Sequence, residues 1–132
     1  MPPAAPLSDL ADERFVLLTT FRRSGEPVNT PVWIASDSDG PMVTTPKKSG
    51  KVRRLRHDDR IELRACNRMG RVGGDAQPTA ATATILDDDA SRGTLTRVFS
   101  RKYGLEYRVF LFVERLSRSG RQDRVMLRLT SA

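Results

Sequence analysis

The densest chemistry in this chain lies in Thr44-Thr45-Pro46-Lys47-Lys48-Ser49-Gly50-Lys51, which joins hydroxyls, ammonium groups and a glycine in one short segment. Pro46 ends an apolar strand pattern, and Ser49 is a natural N-cap for the helix that Val52 and Leu55 begin. The first amides of a helix have no internal partners, and the helix dipole is positive at that end. An anion of phosphate size would meet those amides, the Ser49 hydroxyl and the Lys51 ammonium, with Gly50 allowing close backbone approach. The pairing of glycine with lysine is not a nucleotide P-loop, because the upstream glycine of that motif is missing. A solvated basic helix face would use the same residue types and stands as the alternative.

A second candidate is Thr30-Pro31-Val32-Trp33. Proline cannot donate to a ladder, so a strand through Pro31 is an edge or carries a bulge there. Such an edge offers backbone groups to a flat heterocycle, and Trp33, the only tryptophan, offers a broad apolar face. The alternative for Trp33 is a place in the core, where large aromatics mostly go. The single Cys66 and single His57 cannot build a metal cage. They could form a nucleophile pair only by meeting in space, and Cys66 reads more simply as a small packing residue.

The elements that must position these groups read as a β-rich series. Residues 1–9 are expected as a flexible tail, with Ser8 and Asp9 suggesting a short capped helix, and residues 10–132 as one domain. Phe15–Phe21 is apolar on both faces and predicts a buried strand. Arg23–Pro27 is a turn, residues 28–35 the returning strand, Asp37–Gly40 a second turn and residues 42–45 a third strand. A two-turn helix follows Ser49, then strands over 61–66 and 79–86 separated by a loop over 67–78. Asp87-Asp88-Asp89 opens a helix carrying Leu95, Val98, Phe99 and Tyr103 and closing at Gly104. Residues 105–116 predict a second helix with Val109, Phe112, Val113 and Leu116 on its apolar face, and 124–130 a last strand. About six strands with inserted helices argue a mainly β fold, a small closed barrel rather than a doubly wound sheet.

At 132 residues the chain can bury one core, and its 38% apolar content is adequate for that. No apolar run is long enough for a membrane helix, and the proline-rich start lacks the plan of a signal peptide, so the expected compartment is the cytoplasm. The net charge of +7 favours anionic partners, and residues 47–60 hold seven Lys or Arg against two Asp.

In order and spacing, Phe15–Thr20, Gly25–Val28, Thr30–Trp33, Thr45 with Ser49–Val52, and Arg60–Leu63 resemble the pyridoxamine-phosphate-oxidase-like split barrels. The resemblance is to the flavin/deazaflavin oxidoreductase branch that uses coenzyme F420, and Cys66, Gly70–Val72 and Arg101–Gly104 add to it. It implies a six-stranded FMN-binding-type split barrel and a homodimer with the cofactor in a groove between subunits. It further implies a phosphate held by Thr45, Ser49 and Lys51 with help from Lys48, and a ring along Thr30, Pro31, Val32 and Trp33. Enzymes of that branch pass a hydride between the reduced deazaflavin and a small conjugated substrate. The chemistry then belongs to the cofactor, which fits a chain with no evident acid–base pair. FMN is the alternative cofactor, although the basic excess suits the phosphate and carboxylates of the deazaflavin tail better.

Two other function classes share these residues. A cofactor carrier without turnover would have the same binding groups. A nucleic-acid-binding barrel would want aromatic platforms along its cationic groove, and residues 47–60 contain none.

Overall fold

A computed structural model describes residues 4–74, 76–115 and 124–132. Its elements are α1 (Leu7–Leu10), β1 (Phe15–Phe21), β2 (Pro27–Asp37), β3 (Gly40–Pro46), α2 (Gly50–Leu55), β4 (Arg60–Ala65), β5 (Thr79–Leu86), α3 (Asp89–Tyr103), α4 (Leu105–Arg115) and β6 (Arg124–Ser131). The six strands close into an antiparallel barrel in the order β1-β2-β3-β6-β5-β4. The expected closed barrel is therefore the observed fold.

Period-two alternation builds the interior. Val16 and Leu18 of β1, Ile34 of β2, Val43 of β3, Ile61 and Leu63 of β4, and Leu127 and Leu129 of β6 pack together inside the barrel. The intervening residues of β2, β3 and β6, namely Ala35, Met42 and Met126, pack outside against Leu95, Phe99 and Tyr103 of α3 and Tyr107 of α4. Strands covered on both faces thus show runs of consecutive buried residues, as in Met42–Thr45.

Four expectations need correction. β1 is not buried on both faces: only Val16, Leu18 and Thr20 are fully covered. Its alternate residues are only partly covered, and Phe15 among them meets Trp33 edge-on at 6.3 Å. The 1–9 tail is packed from Ala5 onward, because Leu7 belongs to the barrel core and the Thr79 hydroxyl donates to the Ala5 carbonyl at 2.6 Å. Its helix is also not capped by Ser8 or Asp9: Pro6 stands at the N-cap without a side-chain bond. Among the described side chains of α4, Tyr107 is buried, at 1% exposure, whereas Val109 and Phe112 are 51% and 60% exposed. Leu116 lies outside the described residues, and so does the side chain of Val113.

β2 changes partner part-way along. Pro27–Trp33 pair with β1, ending at Phe15↔Trp33, and Ile34–Asp37 pair with β3, starting at Ile34↔Val43. Pro31 accordingly sits where β2 has a neighbour on one side only, as the edge reading requires. In the β1 register Ile34 would next face Arg14. The Tyr103 hydroxyl sits there instead, accepting from the Ile34 amide at 3.1 Å and lying 2.7 Å from the carbonyls of both Ile34 and Arg14. The Lys102 ammonium donates to the Ile34 and Ala11 carbonyls at 2.7 and 2.8 Å. Burial pushes the Tyr103 phenol up to about 12, so it remains a neutral donor. Removing that hydroxyl in Tyr103→Phe leaves the buried Ile34 amide unsatisfied and should cost about 1–3 kcal/mol in urea unfolding.

Further along, Arg128 of β6 forks onto Asp37, with contacts of 2.8 and 3.3 Å, and also donates to the Gly40 carbonyl at 2.7 Å. Hydrogen bonding from Arg128 holds the Asp37 carboxyl below its ordinary value of 3.8. A depressed carboxylate contributes stability that is complete above the unfolded value and is lost as pH falls through the folded one. The stability difference between the native chain and Asp37→Asn should therefore be flat above about pH 5 and shrink on acidification below it.

Candidate functional site

Beyond Ile34 and Val43 the β2–β3 ladder stops, and the two strands part. β3 continues with β6 through Thr44↔Met126, Thr45↔Val125 and Pro46↔Arg124. The gap opens as a groove of ≈ 480 Å³. One wall is Pro31, Val32 and Trp33 of β2 with Phe15 of β1. The other is Thr44, Thr45 and Pro46 with Lys51 of α2 and Arg124 of β6. Arg68 from the β4–β5 loop and Glu106 and Val109 of α4 complete the lining.

Five of the eight sequence-predicted residues meet here: Pro31, Val32, Trp33, Thr45 and Lys51. Ser49 stands just behind, its hydroxyl 3.2 Å from that of Thr45 and accepting from the Val52 amide at 3.4 Å as the helix cap. The structure does not bring Thr30 or Lys48 into the groove. Thr30 is half-buried further along β2, outside the groove's lining, and Lys48 is an exposed turn residue ahead of α2. Trp33 is neither free surface nor core. It is half-buried, stacked on Tyr103 at 4.7 Å and tilted against Tyr107 at 5.6 Å.

The cationic wall differs from its sequence picture. α2 has only six residues and its Val52 amide is already taken by Ser49, so side chains supply most of the positive potential. Lys51 has no hydrogen bond or ion pair among the described residues. Burial, then the neighbouring Arg54 and Arg124, lowers the pKa of its ammonium group. Arg124, unseen in the sequence reading, is anchored by its Nε to the Thr44 hydroxyl at 2.8 Å and by a terminal nitrogen to the Thr44 carbonyl at 3.3 Å. Two crowded cations beside buried hydroxyls make this wall one that would attract an anion. Arg68 and Glu106 were also unseen, since a loop residue and a helix residue 38 positions apart carry no shared signal in the sequence.

The basic run 47–60 is divided by the fold. Lys47 pairs with Asp87 at 3.2 Å and Arg60 with Asp58 at 2.7 Å, while Lys51 turns to the groove. On the opposite side of Gly50, Arg53, Arg54 and His57 join Arg22 and Arg23 of the β1–β2 turn around a hollow of ≈ 230 Å³. Arg54 is fixed there by a 2.7 Å bond from its Nε to the buried Thr20 hydroxyl. A Cβ at position 50 would lie 2.8 Å from its guanidinium, so Gly50 leaves room for Arg54. His57 is given to Arg23, with ring contacts of 3.0 and 3.3 Å, and no hydrogen bond links it to Cys66. Burial, followed by Glu13, pushes the Cys66 thiol up, away from nucleophile chemistry. No group of residues able to hold a metal occurs among the described residues.

With this geometry in place, comparison with known proteins is decisive at the level of family. The sequence matches the family model for pyridoxamine 5'-phosphate oxidase over residues 7–132. The chain belongs to that family. A comparison with curated proteins gives no match. Among solved structures, an F420 reductase is 14% identical at a TM-score of 0.60, with 98% of this chain and 96% of that chain covered. An FAD-binding protein from Mesorhizobium loti is 14% identical at 0.63, with 93% and 84% covered. HutZ, the heme storage protein from Vibrio cholerae, is 15% identical at 0.61, again with 93% and 84% covered. At such identities these likenesses show the shared barrel, a fold used with flavin-type cofactors and in heme storage.

Ser49 is the joint between the groove wall and α2. Ser49→Ala should lower stability by about 1 kcal/mol through loss of the cap, read as a shift of the denaturation midpoint.

Proposed function

We propose that the groove between β2 and β3 binds coenzyme F420 and that the protein is an F420-dependent oxidoreductase acting on a small conjugated organic substrate. The observation that carries this reading is the pairing of two walls. A flat apolar wall of Pro31, Val32 and Trp33 suits a ring system, and Thr45, Lys51 and Arg124 opposite suit its phosphate. When bound there, the reduced deazaflavin supplies the hydride. The chain's own residues bind the phosphate, orient the ring along β2 and exclude water from the ring face.

The preference for F420 over FMN draws on the second hollow. Arg22, Arg53 and Arg54 crowd one another next to Gly50, and burial followed by Arg22 and Arg53 lowers the Arg54 pKa. A tail bearing carboxylates beyond its phosphate would neutralise that cluster, whereas FMN ends at its phosphate. The protein acts in the cytoplasm as a homodimer in this reading. What supports the dimer is the apolar face of α4 beside the groove, where Leu105, Val109 and Phe112 are exposed. What is compatible with the cytoplasm is that no described helix is long and apolar enough to cross a membrane.

Titration with F420 and, separately, FMN, followed by fluorescence quenching, tests the reading. Saturable binding of F420 tighter than FMN is expected, and binding of neither would remove the oxidoreductase assignment. Lys51→Ala should weaken cofactor binding by about 1.5–3 kcal/mol, the range for a charge-assisted contact. An unchanged dissociation constant in that variant would remove Lys51 from the phosphate site.

A further inference from the structure

The groove has a second charged end that the cofactor assignment leaves unused. Glu106 of α4 accepts from Arg68 at 3.1 Å and also pairs with Arg14. Two arginines therefore share one carboxylate, and the trio carries a net positive charge. Arg68 stands over the Phe15 ring, its guanidinium carbon 5.9 Å from the centroid, and Phe15 in turn meets Trp33. Both Arg68 and Glu106 line the same groove as the aromatic wall.

The backbone beneath Arg68 is held. The Asn67 side-chain oxygen accepts from the amides of Met69 and Arg71, each at 2.9 Å, and the Asn67 amide donates to the Arg71 carbonyl at 3.0 Å. Gly70 turns the chain at φ +85°, a conformation that favours glycine. The guanidinium is thus presented from a fixed turn, while its side chain remains 74% exposed. An ion pair so open to solvent contributes little. A small carboxylate entering the groove can replace Glu106 on Arg68 at slight cost, because Glu106 keeps Arg14 as its partner.

Resting on the cofactor reading above, we infer that Arg68 is a specificity-determining residue that selects substrates bearing a carboxylate. The ligand class is a small, flat, conjugated acid, its apolar part beside Phe15 at the end of the groove that the cofactor ring leaves open and its carboxylate on the planar fork of Arg68. Once the phosphate end is neutralised by cofactor, the trio of Arg14, Glu106 and Arg68 still carries a net positive charge at its own end of the groove, and it favours an anion over a neutral isostere.

The test uses two probes of nearly equal shape, trans-cinnamate and trans-cinnamamide, titrated calorimetrically into the protein saturated with whichever of F420 or FMN it binds, and into the protein alone. Cinnamate is expected to bind about tenfold more tightly than the amide. In Arg68→Gln that preference should fall to within about twofold, with Arg68→Lys retaining part of it. Cofactor affinity, measured in parallel, is expected to be the same in both variants as in the native chain. Equal binding of the two probes, binding of neither, or a preference that survives Arg68→Gln would each overturn the assignment. So would a loss of cofactor affinity in Arg68→Gln, which would give that arginine to the cofactor. If no cofactor binds at all, the oxidoreductase reading fails, and the probe preference of the protein alone still decides the role of Arg68 separately.

Discussion

The groove exists because β2 leaves one neighbour for another at Ile34. A strand that changes partner strands its own amide and carbonyl at the crossing point, and buried backbone groups must find partners. Here the Tyr103 hydroxyl and the Lys102 ammonium, adjacent residues at the end of α3, supply them. The same tyrosine stacks under Trp33. One side chain therefore closes the exposed end of the β1–β2 ladder and supports the aromatic wall. With β2 held in this position, β3 is left to continue along β6 alone, and the space between Trp33 and Thr44 opens.

Charge is distributed around that opening in a way that composition conceals. The net charge of +7 is an average over pairs that cancel, such as Lys47 with Asp87 and Arg60 with Asp58, and over cations gathered in two clusters. Lys51 and Arg124 face the groove, and Arg22, Arg53 and Arg54 crowd the far side of Gly50. Like charges held near one another in partly buried positions cost free energy until an anion arrives. The fold places that cost at two sites on either side of one short helix.

Much of the fold was legible because its signals are local. Alternating apolar residues marked the strands, Ser49 and Asp88 capped the helices that follow them, and turn residues fell where the chain reverses. The apolar stripe of α4 was legible as a pattern but not as a location: Val109 and Phe112 face outward, and Tyr107 takes the buried place. Periodicity says that one face of a helix is apolar, not what will cover it. The tail over 1–9 misled for a related reason, since prolines and small residues suggest looseness while Leu7 finds a site in the barrel.

For the site, the sequence alone determined the residues whose chemistry is local: a hydroxyl-and-lysine segment at a strand-to-helix junction, and an edge strand marked by Pro31 and Trp33. It also supported membership of the split-barrel family, because an ordered series of short motifs survives in one dimension. Only the tertiary structure decided which of these residues meet. It set Pro31, Val32, Trp33, Thr45 and Lys51 around one opening, kept Thr30 out of its lining and left Lys48 in solvent. It added Arg124, Arg68 and Glu106, which reach the groove from the last strand, a loop and a helix. The physical reason is that closing a barrel pairs strands far apart in the chain, so the potential at any point is a sum over residues that share no local pattern.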